Sequence, residues 1–131
     1  MPAKSLPGGQ PPVAGKLLAV VDAALTPASP VTDIGELTAL ASAAVRAGQG
    51  HVLGTSHAVF PNGAVTLVLI LAESHLAIHT WPEQKLIAID LFSCGSIDAE
   101  RVIGELARRL RLDEVQLRWL ERGTVAVTPR R

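Results

Sequence analysis

The string Glu73-Ser74-His75-Leu76-Ala77-Ile78-His79-Thr80 comes just after the apolar run 64–71, and the chain's single cysteine, Cys94, stands twenty residues beyond Ser74. A hydroxyl, two imidazoles, a thiol and a carboxylate at the end of an apolar run could supply a nucleophile, a general base and a proton donor. Spacing limits what they can do. Ser74 and His75 are neighbours, and neighbours on a strand point to opposite faces, so they are not a nucleophile–base pair. His75 and His79 would share a helical face, but on a strand they sit about 13 Å apart, too far to hold one metal ion. Ser74 and His79 have opposite parity and meet only if the backbone turns or bulges near Ser74. By spacing alone, a structural role for these side chains stays as open as a chemical one.

The elements that must position them can be read from periodicity. Residues 15–25 read as a short apolar strand. Thr32-Asp33 can cap a helix over 34–48 whose apolar face is Leu37, Leu40, Ala41, Ala44 and Val45, with Gly48 as the stop. Residues 51–60 read as a strand, and Pro61-Asn62-Gly63 is a hairpin signal. Residues 64–71 and 75–80 form one strand or two consecutive pieces. In the next strand, 85–93, Leu86, Ala88, Asp90 and Phe92 share one face and Ile87, Ile89 and Leu91 the other. Asp98 caps a second helix with Val102, Ile103, Leu106 and Leu110 inward. Residues 114–122 alternate as a strand, and 123–129 read as one more. Tight turns between consecutive strands imply an α+β two-layer sandwich, an antiparallel sheet with two helices on one face.

At 131 residues the chain reads as a lead-in, 1–13, expected to be disordered, and a single domain, 14–131. Lys plus Arg equals Asp plus Glu at 12 each, which gives no electrostatic basis for binding nucleic acid. No apolar run reaches the length that spans a bilayer. Cys94 has no partner for an internal disulfide, which fits a cytoplasmic setting. Trp81 and Trp119 read as packing residues.

ESHLAIHTWPE followed by AIDLFSCG resembles the signature of the short prokaryotic S-adenosylmethionine decarboxylase proenzymes, closely over residues 60–95 and loosely elsewhere. The resemblance implies a chain that cuts itself between Glu73 and Ser74 into 1–73 and 74–131, leaving a pyruvoyl group derived from Ser74 as its cofactor. That carbonyl would form a Schiff base with an amino-acid substrate and accept the electrons left when carbon dioxide departs. The same resemblance makes Cys94 the proton donor, His79 the acid/base of self-processing, and Thr66 the hydroxyl that supports it where the family has Ser. It places Glu83 near the substrate's ribose and Phe60 on its adenine. It also implies a homodimer of cleaved protomers with sites near the interface, no metal, and a product feeding spermidine and other polyamine synthesis. The residues equally admit plainer readings: Cys94 as a packed thiol, and His75 as a structural hydrogen-bonding group.

Departures from the pattern lie at the first strand, Gly15-Lys16-Leu17-Leu18-Ala19-Val20-Val21-Asp22, where the family's opening Gly-Arg-His and following aromatics are missing. They thin the adenosyl-binding wall and leave arginine or ornithine as alternative substrates on the same scaffold. A non-enzymatic interaction module is a further alternative, against which the joint presence of Ser74, His79 and Cys94 argues.

Overall fold

The computed structural model describes residues 15–123 and residue 125, so the lead-in 1–13 and most of the final expected strand, 123–129, lie outside the described residues. The elements run β1 (Lys16–Ala24), α1 (Ile34–Ala47), β2 (Val52–Val59), β3 (Val65–Leu71), β4 (Ser74–Trp81), β5 (Leu86–Ser93), α2 (Ala99–Arg109) and β6 (Asp113–Arg122), with a 3-10 turn at Pro82–Gln84. The strands make one sheet ordered β2-β3-β4-β5-β1-β6, antiparallel at every pairing.

Alternation decides what each face carries. Inward positions are Ala19, Val21 and Ala23 on β1, Leu67, Leu69 and Leu71 on β3, Leu76 and Ile78 on β4, and Ile87, Ile89 and Leu91 on β5. They pack in one core with Leu37, Ala41, Ala44 and Val45 of α1 and with Val102, Ile103 and Leu106 of α2. Burying these side chains is the main favourable term in folding, about 25 cal/mol per Å2 of apolar surface. Among the described residues, the opposite face of the sheet carries no helix. It is lined by Ile70, Ala77, His79, Ala88, Asp90, Phe92, Val20 and Leu120 in register, and Ile70 and Leu120 are half exposed.

Both helices start as the sequence reads. The Asp33 carboxylate accepts from the Glu36 N–H at 3.0 Å, and Asp98 accepts from Arg101 N–H at 3.0 Å, each satisfying a donor that the first helical turn leaves free. Gly48 closes α1, and its carbonyl accepts from the Asp98 N–H at 2.8 Å. A Cβ there would lie 2.4 Å from Val102 Cγ2 and 2.7 Å from the Asp98 carbonyl. Glycine is what lets the two helices approach at that point. Residues 64–80 resolve as two strands, β3 and β4, joined by a two-residue turn at Ala72-Glu73.

Candidate functional site

The β3–β4 turn holds the first group of chemistry-bearing residues. Leu71 pairs with Ser74 across it, and Ser74 pairs with Ser93 at the end of β5. Ser74 has φ 144°, a region that side-chain-bearing residues rarely adopt and that costs of order 1–3 kcal/mol. The strain lies in the Ser74 N–Cα torsion, next to the peptide that joins Glu73 to Ser74. The Cys94 N–H donates to the carbonyl oxygen of Glu73 at 3.1 Å. That donor polarises the carbonyl and would stabilise negative charge developing on its oxygen. Cys94 itself is exposed, and Gly95 beyond it has φ 104°.

The Glu73 side chain is 6% exposed. His51 N–H donates to Oε1 at 3.0 Å, and the His51 ring Nδ1–H donates to Oε2 at 2.8 Å. The hydrogen bond from the His51 ring holds the Glu73 carboxyl below its ordinary range, against the opposing effect of burial. A carboxyl depressed by folding lends stability above its unfolded pKa, and that stability is lost as pH falls through the lower, folded value. In chains that carry Ser74→Ala, the stability gap between Glu73 and Glu73→Gln should therefore narrow on acidification from neutral pH. Denaturant unfolding at several pH values checks this, and a gap that stays constant or widens contradicts it.

The second group lies at the other end of β4. Thr66 on β3 is paired opposite His79 on β4, and the Thr66 Oγ1 and His79 Nδ1 are hydrogen-bonded at 3.1 Å. The His79 ring lies 6.2 Å from the Trp81 ring. A cavity of about 340 Å3 opens here, lined by Phe60, Asn62, Thr66, His79 and Trp81 among others. Asn62 at the tip of the β2–β3 hairpin donates its side-chain N–H to the Glu83 carboxylate, tying the 3-10 turn to that tip. Trp81 is 40% exposed and walls this cavity, so it is not the packing residue its sequence context suggests. Trp119 does pack against the core.

The sequence-expected residues thus fall into two groups. Glu73, Ser74 and Cys94 come together, and Phe60, Thr66, His79 and Glu83 come together. Ser74 and His79 are five positions apart on one strand, about 16 Å at the usual rise, so the groups do not meet within one chain. His75 lies between them, its ring edge-on to Phe92 at 6.0 Å, with the Arg122 guanidinium over the Phe92 ring at 5.7 Å. No cluster of three or more metal-ligating side chains occurs among the described residues. No helix among them is long and apolar enough to cross a membrane.

His51 is the residue that sequence reasoning missed. A signal for it exists in the hairpin register. Pairs across β2 and β3 are centred on Asn62, as Val59 opposite Val65 and Gly54 opposite Ile70 show. Carried outward through the bulge between Val52 and Gly54, that register sets His51 against Ala72 and Glu73.

A family model described as S-adenosylmethionine decarboxylase matches residues 18–123. A Bacillus anthracis protein named S-adenosylmethionine decarboxylase proenzyme 2 is 40% identical over 74 residues, 56% of this chain and 60% of that protein. The S-adenosylmethionine decarboxylase proenzyme of Persephonella marina is 40% identical over 101 residues, 74% of this chain and 71% of that one. The chain therefore spans between about 60% and 71% of the length of these relatives. The crystal structure of the adenosylmethionine decarboxylase from Aquifex aeolicus superposes with a TM-score of 0.76 at 25% identity, over 92% of this chain and 100% of that one. With the matched family model covering all of β1 to β6 but the first two residues, the chain belongs to the S-adenosylmethionine decarboxylase family.

Proposed function

We propose that this chain is a self-cleaving proenzyme whose mature form decarboxylates S-adenosylmethionine, in a cytoplasmic setting, for polyamine synthesis. The observation that carries the reading is the strained Ser74 backbone set against a Glu73 carbonyl that already accepts a hydrogen bond from the Cys94 N–H. Ser74 Oγ adds to that carbonyl carbon, and the Glu73–Ser74 C–N bond breaks. The acyl group moves from nitrogen to oxygen, giving an ester. Removal of the Ser74 Cα proton then expels the Glu73 carboxylate from Cβ and leaves dehydroalanine. Water displaces its nitrogen as ammonia, and position 74 becomes a ketone. The groups around Ser74 fit that product: Cys94, whose thiol is exposed, follows the Ser93 that pairs with Ser74, and no charged side chain other than Glu73 is buried at the turn.

When formed, the pyruvoyl group supplies an electron-accepting carbonyl that binds the substrate amine and draws off the electrons released with carbon dioxide. Cys94 returns a proton to the substrate carbon. Phe60 and Trp81 offer ring faces for the adenine, and Glu83, hydrogen-bonded to the cavity-lining Asn62, is the carboxylate for a ribose hydroxyl.

The two groups of residues are joined by a second copy. A homodimer that packs the helix-free sheet faces together, with opposed strand ends, would bring the partner subunit's His79 and Thr66 to Ser74. The half-exposed Ile70 and Leu120 on that face support such burial.

Carbon dioxide release from S-adenosylmethionine, arginine and ornithine, assayed side by side on cleaved protein, tests the substrate. Turnover is expected with S-adenosylmethionine, and turnover confined to a plain amino acid overturns that choice. Cys94→Ala keeps the Cys94 backbone N–H, so it should still cut. Its decarboxylation should fall about 100-fold or more, as loss of a general acid does. Steady-state turnover per cleaved chain reads this, and an unchanged rate removes Cys94 from the role.

A further inference from the structure

We infer that His51 is a positioning residue for self-cleavage, a clamp that holds the scissile turn through the Glu73 carboxylate. The inference rests on the reading of Glu73–Ser74 as the cleaved bond. Three contacts join His51 to the turn. Its backbone N–H and ring Nδ1–H each donate to one oxygen of the Glu73 carboxylate, at 3.0 and 2.8 Å. Its carbonyl accepts from the Ala72 N–H at 2.9 Å. Ala72 and Glu73 are the whole of the turn between β3 and β4, so His51 touches both of its residues.

The turn contains no glycine, proline or asparagine, the residues that shape tight turns by their own backbone preferences. Its geometry must come from outside. The Glu73 carboxylate is buried at 6% exposure while the His51 side chain is 73% exposed. A buried carboxylate needs hydrogen-bonding partners, and among the described residues His51 is the partner that supplies both. The Glu73 backbone is thus held from two sides: its carbonyl by Cys94 N–H, its side chain by His51. Fixing both ends of one residue holds the carbonyl carbon in place while the next residue's hydroxyl attacks it. Orientation of this kind is the means by which an intramolecular attack becomes fast. His51 touches no reacting atom and acts only through Glu73. After the cut Glu73 becomes the C-terminus of the first fragment, and the same contacts keep it in place beside position 74.

The test is the first-order rate of self-cleavage of freshly refolded chains, read by denaturing electrophoresis, for wild type, His51→Ala, His51→Asn, Glu73→Ala and the double variant His51→Ala/Glu73→Ala. An asparagine side-chain N–H can stand where Nδ1–H stands. His51→Ala should cut about tenfold or more slowly, as loss of a charge-assisted hydrogen bond implies. His51→Asn should recover to within about threefold of wild type by the same hydrogen bond. His51→Ala should add nothing on top of Glu73→Ala, because the two act as one unit. Melting temperatures of the same variants carrying Ser74→Ala separate folding from positioning. Cleavage of His51→Ala at the wild-type rate, additive effects of the two alanines, or slowing that His51→Asn does not relieve would each overturn the clamp. A wild-type chain that stays whole would instead overturn the cleavage reading, and the clamp with it.

Discussion

Ser74→Ala leaves one unbroken chain of 131 residues without decarboxylase activity. The substitution removes the oxygen that must add to the Glu73 carbonyl and keeps everything around it. Alanine retains the Cβ, so the φ of 144° carries the same strain. The Cys94 N–H and the His51 contacts to Glu73 involve no Ser74 atom. The variant should therefore fold as the wild type does, with stability changed by less than about 0.5 kcal/mol, in the range of substitutions that break no buried interaction. Cleavage falls to nothing, since no other hydroxyl is one carbon from that amide. Activity falls with it, because the ketone is made from this serine. Intact mass and a carbon dioxide assay on the same sample read both losses, and a cut Ser74→Ala chain rules out Ser74 as the nucleophile.

His79→Ala should slow self-cleavage by about 100-fold or more, the usual effect of losing a positioned acid/base. His79 is tied to Thr66 at 3.1 Å, which orients the ring, yet along its own strand it is about 16 Å from Ser74. In the proposed homodimer its effect is exerted across the interface. That has a sharp consequence. Ser74→Ala and His79→Ala chains, co-refolded as mixed dimers, should form one intact site from the Ser74 of one and the His79 of the other. In the mixture the His79→Ala chain alone is cut, at close to the wild-type rate. Mass spectrometry distinguishes the two chains. A mixture no faster than His79→Ala by itself refutes the shared site.

Faces and helix ends were legible in the sequence because they depend on short-range periodicity. The alternation of β5 sets Ile87, Ile89 and Leu91 on one face, which the structure buries, and Asp33 and Asp98 cap the two helices. From sequence the break between β3 and β4 admits one strand or two, since Ala72-Glu73 carries no residue that announces a turn. The reason for the turn is tertiary: His51, twenty-two positions upstream, holds it by hydrogen bonds that no local pattern encodes. The candidate residues were legible as types but not as an arrangement. Pairing Thr66 with His79 follows from the register across β3 and β4, and that same register carries both away from Ser74. A lone Trp at a strand end reads as packing, whereas the end of β4 leaves Trp81 at the rim of a cavity.

Intact-mass analysis of freshly purified wild-type protein under denaturing conditions decides whether the chain cuts itself at Ser74. Self-cleavage gives two species, residues 1–73 with an ordinary carboxyl end and residues 74–131 whose first residue has lost its nitrogen and carries a ketone. A catalytically active sample that registers as one whole polypeptide, serine still in place at 74, contradicts it.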